Sequence, residues 1–517
     1  MLSTWRRIGA AERAAVIGGV LALAIAATAT SGAIVIGHDG VADAVMAEVT
    51  RRPATTTTVL TGPPAAVAAG AASRLFASAA VVVLANPDDM AGVAVAAARA
   101  RGAHAPLLLT SPTTSAAAAR ALAEIRALAA REVLDTGMAA GPLAAELPGV
   151  RVITDPARLP VTGAPTPLRH VAVLVRRQDE SPGTQAATAT ALAAGAQVIT
   201  VNSNDPRTDP AAIRALSAAR PTQVLAIGDG FGPAQLLESR VAVAATGVQL
   251  PGGGQVLFPM HRLLALYGRP GTPALGALGQ QGMTESIARI RRIAAAYQPL
   301  SSVPVVPAFE IIATMAEASP GADRTYSYES AVSSLLPWVR RATANGMYVV
   351  LDLQPGRASL LAQARAYVQL LKLPNVGLAL DPEWKLQPGQ LPLRQIGSVD
   401  VNEVNSVIRW LASLTAQYRL PQKLLVLHQF RLSMIGNEQR LDTGHDNVAI
   451  VIHMDGQGTP AEKLNTWNAV VSTAPAGVFF GWKNFYDKDH PTLSPSQTMT
   501  NAPEPVMISY QLAVAYG

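Results

Sequence analysis

The chain has no cysteine among its 517 residues, which excludes disulfides, thiolate metal sites, a cysteine nucleophile and a lipid-modified cysteine. Charged residues make up only 15% and aromatics 5%, and the Lys and Arg residues are scattered without a basic run or interleaved aromatics. The net charge of +6 therefore does not point to nucleic acid. It suits an anionic wall polymer or a phospholipid surface. Glycine is plentiful, yet Gly252-Gly253-Gly254 follows no strong strand and opens no helix, so no phosphate-cradling loop is expected. A nucleophile-elbow pattern is also missing. No cofactor is expected.

Apolar runs long enough to span a bilayer are limited to one, residues 14–36, from Ala14 through Leu23 to Ile36. At about 23 residues it suffices for a single tilted span. Arg6, Arg7 and Arg13 precede it, and the next basic residue is Arg51, an asymmetry that predicts a cytoplasmic N-terminus and an extracytoplasmic body. The segment 1–50 therefore reads as a cytoplasmic stub and signal-anchor helix. Cleavage after Ala27-Thr28-Ala29, with secretion of the body, is the alternative. Residues 51–70, with Pro53-Ala54-Thr55-Thr56-Thr57-Thr58 and Gly62-Pro63-Pro64, read as a linker.

A repeat follows over residues 71–250. Val81-Val82-Val83-Leu84-Ala85 predicts a buried strand, and an Ala-rich helix over about 89–101 comes next. Then come the strand 105–110, a helix over about 114–129 and the strand Glu132-Val133-Leu134. The same order returns about 90 residues later, with strands at 171–175, 197–200 and 223–228 and helices at about 184–194 and 210–219. Short apolar strands alternating with helices call for parallel sheets covered on both faces. The expected module is a tandem pair of Rossmann-like α/β units. The first copy, with Asn86-Pro87-Asp88-Asp89 after its strand, then Ala105-Pro106-Leu107-Leu108-Leu109-Thr110, Glu132-Val133-Leu134 and Gly137, resembles the type-two bacterial cell-wall-binding repeat. That resemblance implies a surface protein held to anionic wall polymers. The second copy carries Arg177-Gln178-Asp179-Glu180 in place of the motif after the strand, and two copies stand where the family commonly has three.

Beyond the boundary Leu250-Pro251-Gly252-Gly253-Gly254, residues 251–517 contain eight apolar strand candidates, at 263–268, 304–313, 347–353, 376–381, 424–429, 448–454, 477–482 and 505–510. Helical segments at about 283–297, 328–344, 358–371, 400–417 and 461–472 fit between them. This rhythm predicts a (β/α)8 TIM-type barrel, with a doubly wound open sheet as the alternative. In a barrel, the site lies at the C-terminal strand ends, and polar residues gather there. They are Tyr267, Glu310, Asp352 with Gln354, Asp381 with Glu383 and Trp384, His428 with Gln429, His453 with Asp455, and Trp482 with Lys483.

Asp381-Pro382-Glu383 is the sharpest element. Residues two apart on a strand face the same side, so both carboxylates are expected in the mouth. Their repulsion would raise the pKa of one, as glycosidic-bond cleavage requires. Trp384 and Trp482 offer flat faces for sugar rings. Alternatively, Lys385, Lys483 or Arg357 neutralises both acids as structural ion pairs. The segment Gly377 to Trp384 resembles the chitinase strand-four signature at Gly377, Asp381 and Glu383, with Val376, Ala379 and Pro382 departing from it. That resemblance implies Glu383 as general acid and Asp381 as its orienting partner; Asp352 and Asp455, at neighbouring strand ends, are expected as supporting carboxylates. His428, His453 and Asp455 are also a conceivable metal set, but no metal is expected.

The sequence reading is thus a membrane-anchored envelope protein whose barrel acts on a cell-wall or surface polysaccharide. The alternative is a non-catalytic glycan-binding or scaffolding protein.

Overall fold

Three-residue to six-residue runs of Val, Leu, Ile and Ala buried on both faces build the first half of the protein. A computed structural model describes residues 46–111, 115–137 and 141–512. One four-stranded parallel sheet has the order Leu107–Leu109, Val81–Ala85, Glu132–Asp135, Arg151–Ile153. A second has the order Gln197–Val201, Val171–Arg176, Gln223–Ile227, Thr56–Leu60, again all parallel. Helix Pro182–Ala193 packs on helices Pro64–Leu75 and Met90–Gly102 through fully buried alanines such as Ala68, Ala72, Ala96 and Ala186. Small side chains let these helices approach closely. At Gly183 a Cβ would lie 3.0 Å from the Pro64 Cα. The abundance of alanine is therefore a packing requirement of this half.

The expected linker at 51–70 is corrected. Thr56–Leu60 is a strand of the second sheet, paired with Gln223–Ile227, and helix Pro64–Leu75 begins inside the same stretch. The β-branched threonines suit an extended chain, and their partner lies too far along the sequence for local reading to find. The predicted anchor at 14–36 lies outside the described residues. Among the described residues, no helix is long and apolar enough to cross a membrane.

The second half is a closed barrel of eight parallel strands: β1 (Arg262–Gly268), β2 (Val305–Ala316), β3 (Tyr348–Leu353), β4 (Val376–Leu380), β5 (Lys423–Gln429), β6 (Val448–Met454), β7 (Phe479–Phe485) and β8 (Met507–Gln511). Each pairs with its successor, and β1 pairs with both β2 and β8. That closure excludes the open-sheet alternative. Helices Met283–Tyr297, Val332–Ala344, Val401–Gln417 and Pro460–Thr473 cover the outside and bury an apolar stripe against the strands.

Alternation along each strand sorts side chains between the barrel interior and the helices. Leu263, Ala265, Val306, Ala308, Tyr348, Val350, Ala379, Val426, Val451 and Met507 form an apolar interior layer toward the N-terminal strand ends. The α/β units sit against that same end. Arg207 and Arg240 both clasp Asp446, which precedes β6, at 2.6 and 2.7 Å. The buried Gln255 side-chain amide donates to the carbonyls of Val243 and Val248, and the Gln255 backbone carbonyl accepts from the Gln422 backbone N–H ahead of β5. Gly252, Gly253 and Gly254 all adopt positive φ (90°, 96° and 71°), so this connection needs glycine at each position.

Candidate active site

Above the apolar layer, each strand contributes one inward polar side chain: Tyr267, Glu310, Asp352, Asp381, His428, His453, Lys483 and Ser509. All are buried; Tyr267, Asp381 and Lys483 line a cleft of about 550 Å³, and Glu310, Asp352, His428, His453 and Ser509 are fully buried. Tyr267, Gln354, Asp381, Glu383, Trp384, Asp455 and Lys483 line that cleft, with Phe430, Arg431 and Lys488 at its rim. Asp381 follows the last residue of β4 and caps a short turn, Pro382–Trp384, by accepting the Glu383 amide at 3.3 Å. The turn, rather than continued strand alternation, brings Glu383 into the same cleft.

Two electrostatic groups emerge. The first is well paired. Asp455 accepts contacts from His428 Nδ1 at 2.8 Å, His453 Nδ1 at 2.8 Å and Lys483 Nζ at 2.7 Å. Glu310 faces His428 Nε2 at 3.0 Å and accepts the Ser509 hydroxyl at 2.6 Å. Burial alone would push these carboxyls up. The charges of His428, Lys483 and their hydrogen bonds together outweigh it, holding Glu310 down at about 2 and Asp455 well below the ordinary carboxylate range. Burial likewise works against the cations, and Asp455 and Glu310 together outweigh it, keeping His428 well above its usual value and Lys483 raised.

In the second group, burial outweighs the charges of Lys483, His428 and Arg431 that act on it. Asp352 accepts the Tyr267 hydroxyl at 2.7 Å, and burial together with the Asp381 charge pushes it up to about 8. Asp381 rises to about 7 through burial and the Glu383 and Asp455 charges, against the pull of His428. Glu383 rises to about 7 through burial and the Asp455 charge. The cations that would neutralise the pair are engaged elsewhere. Lys385 bonds to Glu403 at 2.9 Å and the Ala358 carbonyl at 2.7 Å, Arg357 donates to the Gln390 carbonyl, and Lys483 is on Asp455.

Most of the expected residues thus gather at one mouth, and two do not. Gln429 has the opposite parity to His428 and donates to Glu438 at 3.0 Å, away from the cleft. Trp482 alternates with Lys483 and packs outward against Trp467, ring centroids 5.5 Å apart. Of the two tryptophans expected to meet a sugar, Trp384 alone lines the cleft. Ser509 was not anticipated, although the Met507–Ser509–Gln511 alternation marks it as inward-facing. His428, His453 and Asp455 offer ligand atoms within 4.8 Å of one another. Both Asp455 oxygens are already engaged, one of them by the Lys483 ammonium, so a metal ion would have to expel a cation. The donor set reads as a closed hydrogen-bonded cluster.

Comparison with protein-family models, curated proteins and solved structures returns no match.

Proposed function

We propose that the barrel is a glycoside hydrolase acting on a cell-wall or surface polysaccharide, with Glu383 as general acid. One observation carries this reading. Glu383 and Asp455 line the same cleft with pKa values driven apart, one carboxyl raised toward neutrality and the other held ionised. Two carboxyls so separated divide the roles of acid and charged stabiliser. Glu383 gives its proton to the glycosidic oxygen as the C–O bond breaks. Asp455 opposes the positive charge building at the anomeric carbon, and Asp381 orients Glu383 through the capped turn. Water then adds to that carbon, and its proton returns to a cleft carboxylate. The flat face of Trp384 provides a platform for a sugar ring. A scaffold without chemistry would have Glu383 neutralised by a cation; Lys385, Arg357 and Lys483 are engaged elsewhere, and the pull of Lys483, His428 and Arg431 on Glu383 is weaker than the burial that raises it.

Three strands of each parallel sheet share one order, which supports the further proposal of a duplicated wall-binding unit. The charge asymmetry around residues 14–36 supports an extracytoplasmic body anchored in the membrane. The test is release of saccharides from purified wall and surface glycans by the full chain, followed by mass spectrometry, with Glu383→Gln as control. Binding without release across the panel would overturn the hydrolase reading and leave a glycan-binding protein.

A further inference from the structure

Five side chains from four strands close a ring beneath the cleft. Ser509 donates to Glu310 Oε2 at 2.6 Å, and Glu310 Oε1 faces His428 Nε2 at 3.0 Å. His428 Nδ1 faces Asp455 Oδ2 at 2.8 Å, and Asp455 Oδ1 meets His453 Nδ1 at 2.8 Å. His453 Nε2 returns to the Ser509 oxygen at 3.2 Å. Counting protons around this circuit decides its charge. Glu310 and Asp455 are ionised and only accept. His428 presents a nitrogen to each of them, so it carries both ring protons. His453 must donate to Asp455 through Nδ1. Because Ser509 spends its single proton on Glu310, its oxygen can only accept from His453 Nε2. The His428 contacts are ion pairs rather than hydrogen bonds, and both hydrogen bonds of His453 are satisfied only when His453 is doubly protonated. A neutral His453 would set two lone pairs against each other at the Ser509 contact.

We propose that Ser509 is a positioning residue whose hydroxyl closes this ring, holds His453 as the imidazolium and fixes the Asp455 carboxylate opposite Glu383. The surroundings fit the imidazole closely. At Gly481 of β7 a Cβ would stand 2.4 Å from His453 Cδ2, so the neighbouring strand leaves room for that ring through a missing side chain. The titratable groups facing His453 are Asp455 from its own strand end, Glu310 from β2 and His428 from β5. β8 supplies Ser509, and Lys483 of β7 reaches the shared Asp455. Burial, with the His428 charge, outweighs the pull of the Asp455 and Glu310 carboxylates and draws the imidazole below its ordinary value. The charged form therefore depends on each acceptor it has, and loss of Ser509 shifts it further toward the neutral form.

The catalytic meaning of this ring rests on the hydrolase reading, but the ring is measurable without turnover. The experiment is a 15N–1H titration of histidine side chains in the full chain, with His453 assigned by loss of its signals in His453→Gln. The expected result is an imidazolium at His453 whose midpoint falls by about one pH unit, a tenfold loss of proton affinity, in Ser509→Ala. Ser509→Thr should restore it. An unchanged midpoint in Ser509→Ala, or a neutral His453 throughout pH 5–8 in the unmodified protein, would overturn the proposal. Where saccharide release is observed, Ser509→Ala should lower kcat about tenfold and leave KM unchanged, with recovery in Ser509→Thr. Absence of any release by the unmodified protein speaks against the hydrolase alone, because the titration is read independently.

Discussion

Two lysines are buried at opposite ends of the barrel, and their surroundings differ. Lys423 begins β5 and donates to the backbone carbonyls of Leu373, Pro374 and Val376, with no carboxylate beside it; burial pushes it down to about 7. Lys483, toward the end of β7, sits on Asp455 over the Tyr267 ring and is held above its usual value. The first ties the loop before β4 to the next strand. The second belongs to a network with more carboxylates than cations, which is unfavourable for folding in proportion to how many acids must share protons. One end of this barrel sets its buried lysine against neutral carbonyls, and the other crowds carboxylates beyond the cations that face them.

The largest test of that contrast is Glu383→Gln. Saccharide release should fall about 10²–10⁴-fold, as expected when a general acid is lost, while Tm holds or rises. A fall in both would make Glu383 structural. Lys483→Met comes next. It strips from Asp455 the lysine bonded to it, and chemical denaturation should show about 3–5 kcal/mol of lost stability, together with lost release. Asp352→Asn should act in the other direction. Its carboxyl is raised in the folded state, so its favourable contribution is full below the unfolded value near 4 and is lost as pH rises toward about 8. The variant should therefore gain about 1–3 kcal/mol at pH 9 and little at pH 4, read as a flatter Tm–pH curve. Lys423→Met is the smallest. Removing the donor to three carbonyls should lower stability by about 1 kcal/mol near pH 7 and leave release intact. It should also abolish the rise in stability from pH 7 to 10.5 that a depressed lysine produces.

Much of the barrel was legible because its strands are short, apolar and spaced by amphipathic helices, and because polar residues mark one end of each. The inward polar residues follow from the same two-residue alternation. Applied strictly, that alternation would have removed Gln429 and Trp482 from the mouth, since each neighbours an inward residue, and would have added Ser509. The turn carrying Glu383 was harder to read. Asp381 and Glu383 share a cleft because Asp381 caps a tight turn, which strand parity does not describe. Thr56–Leu60 escaped notice for another reason. Its sheet partner, Gln223–Ile227, lies far along the chain, and a Pro/Thr-rich stretch looks like a tether until that pairing is known. No local pattern encodes a contact of that span.

The clasp of Arg207 and Arg240 on Asp446 settles which way the molecule can work. Because the smaller units brace the N-terminal strand ends, the opening with Glu383 lies at the opposite end of the barrel, and the two surfaces face away from one another.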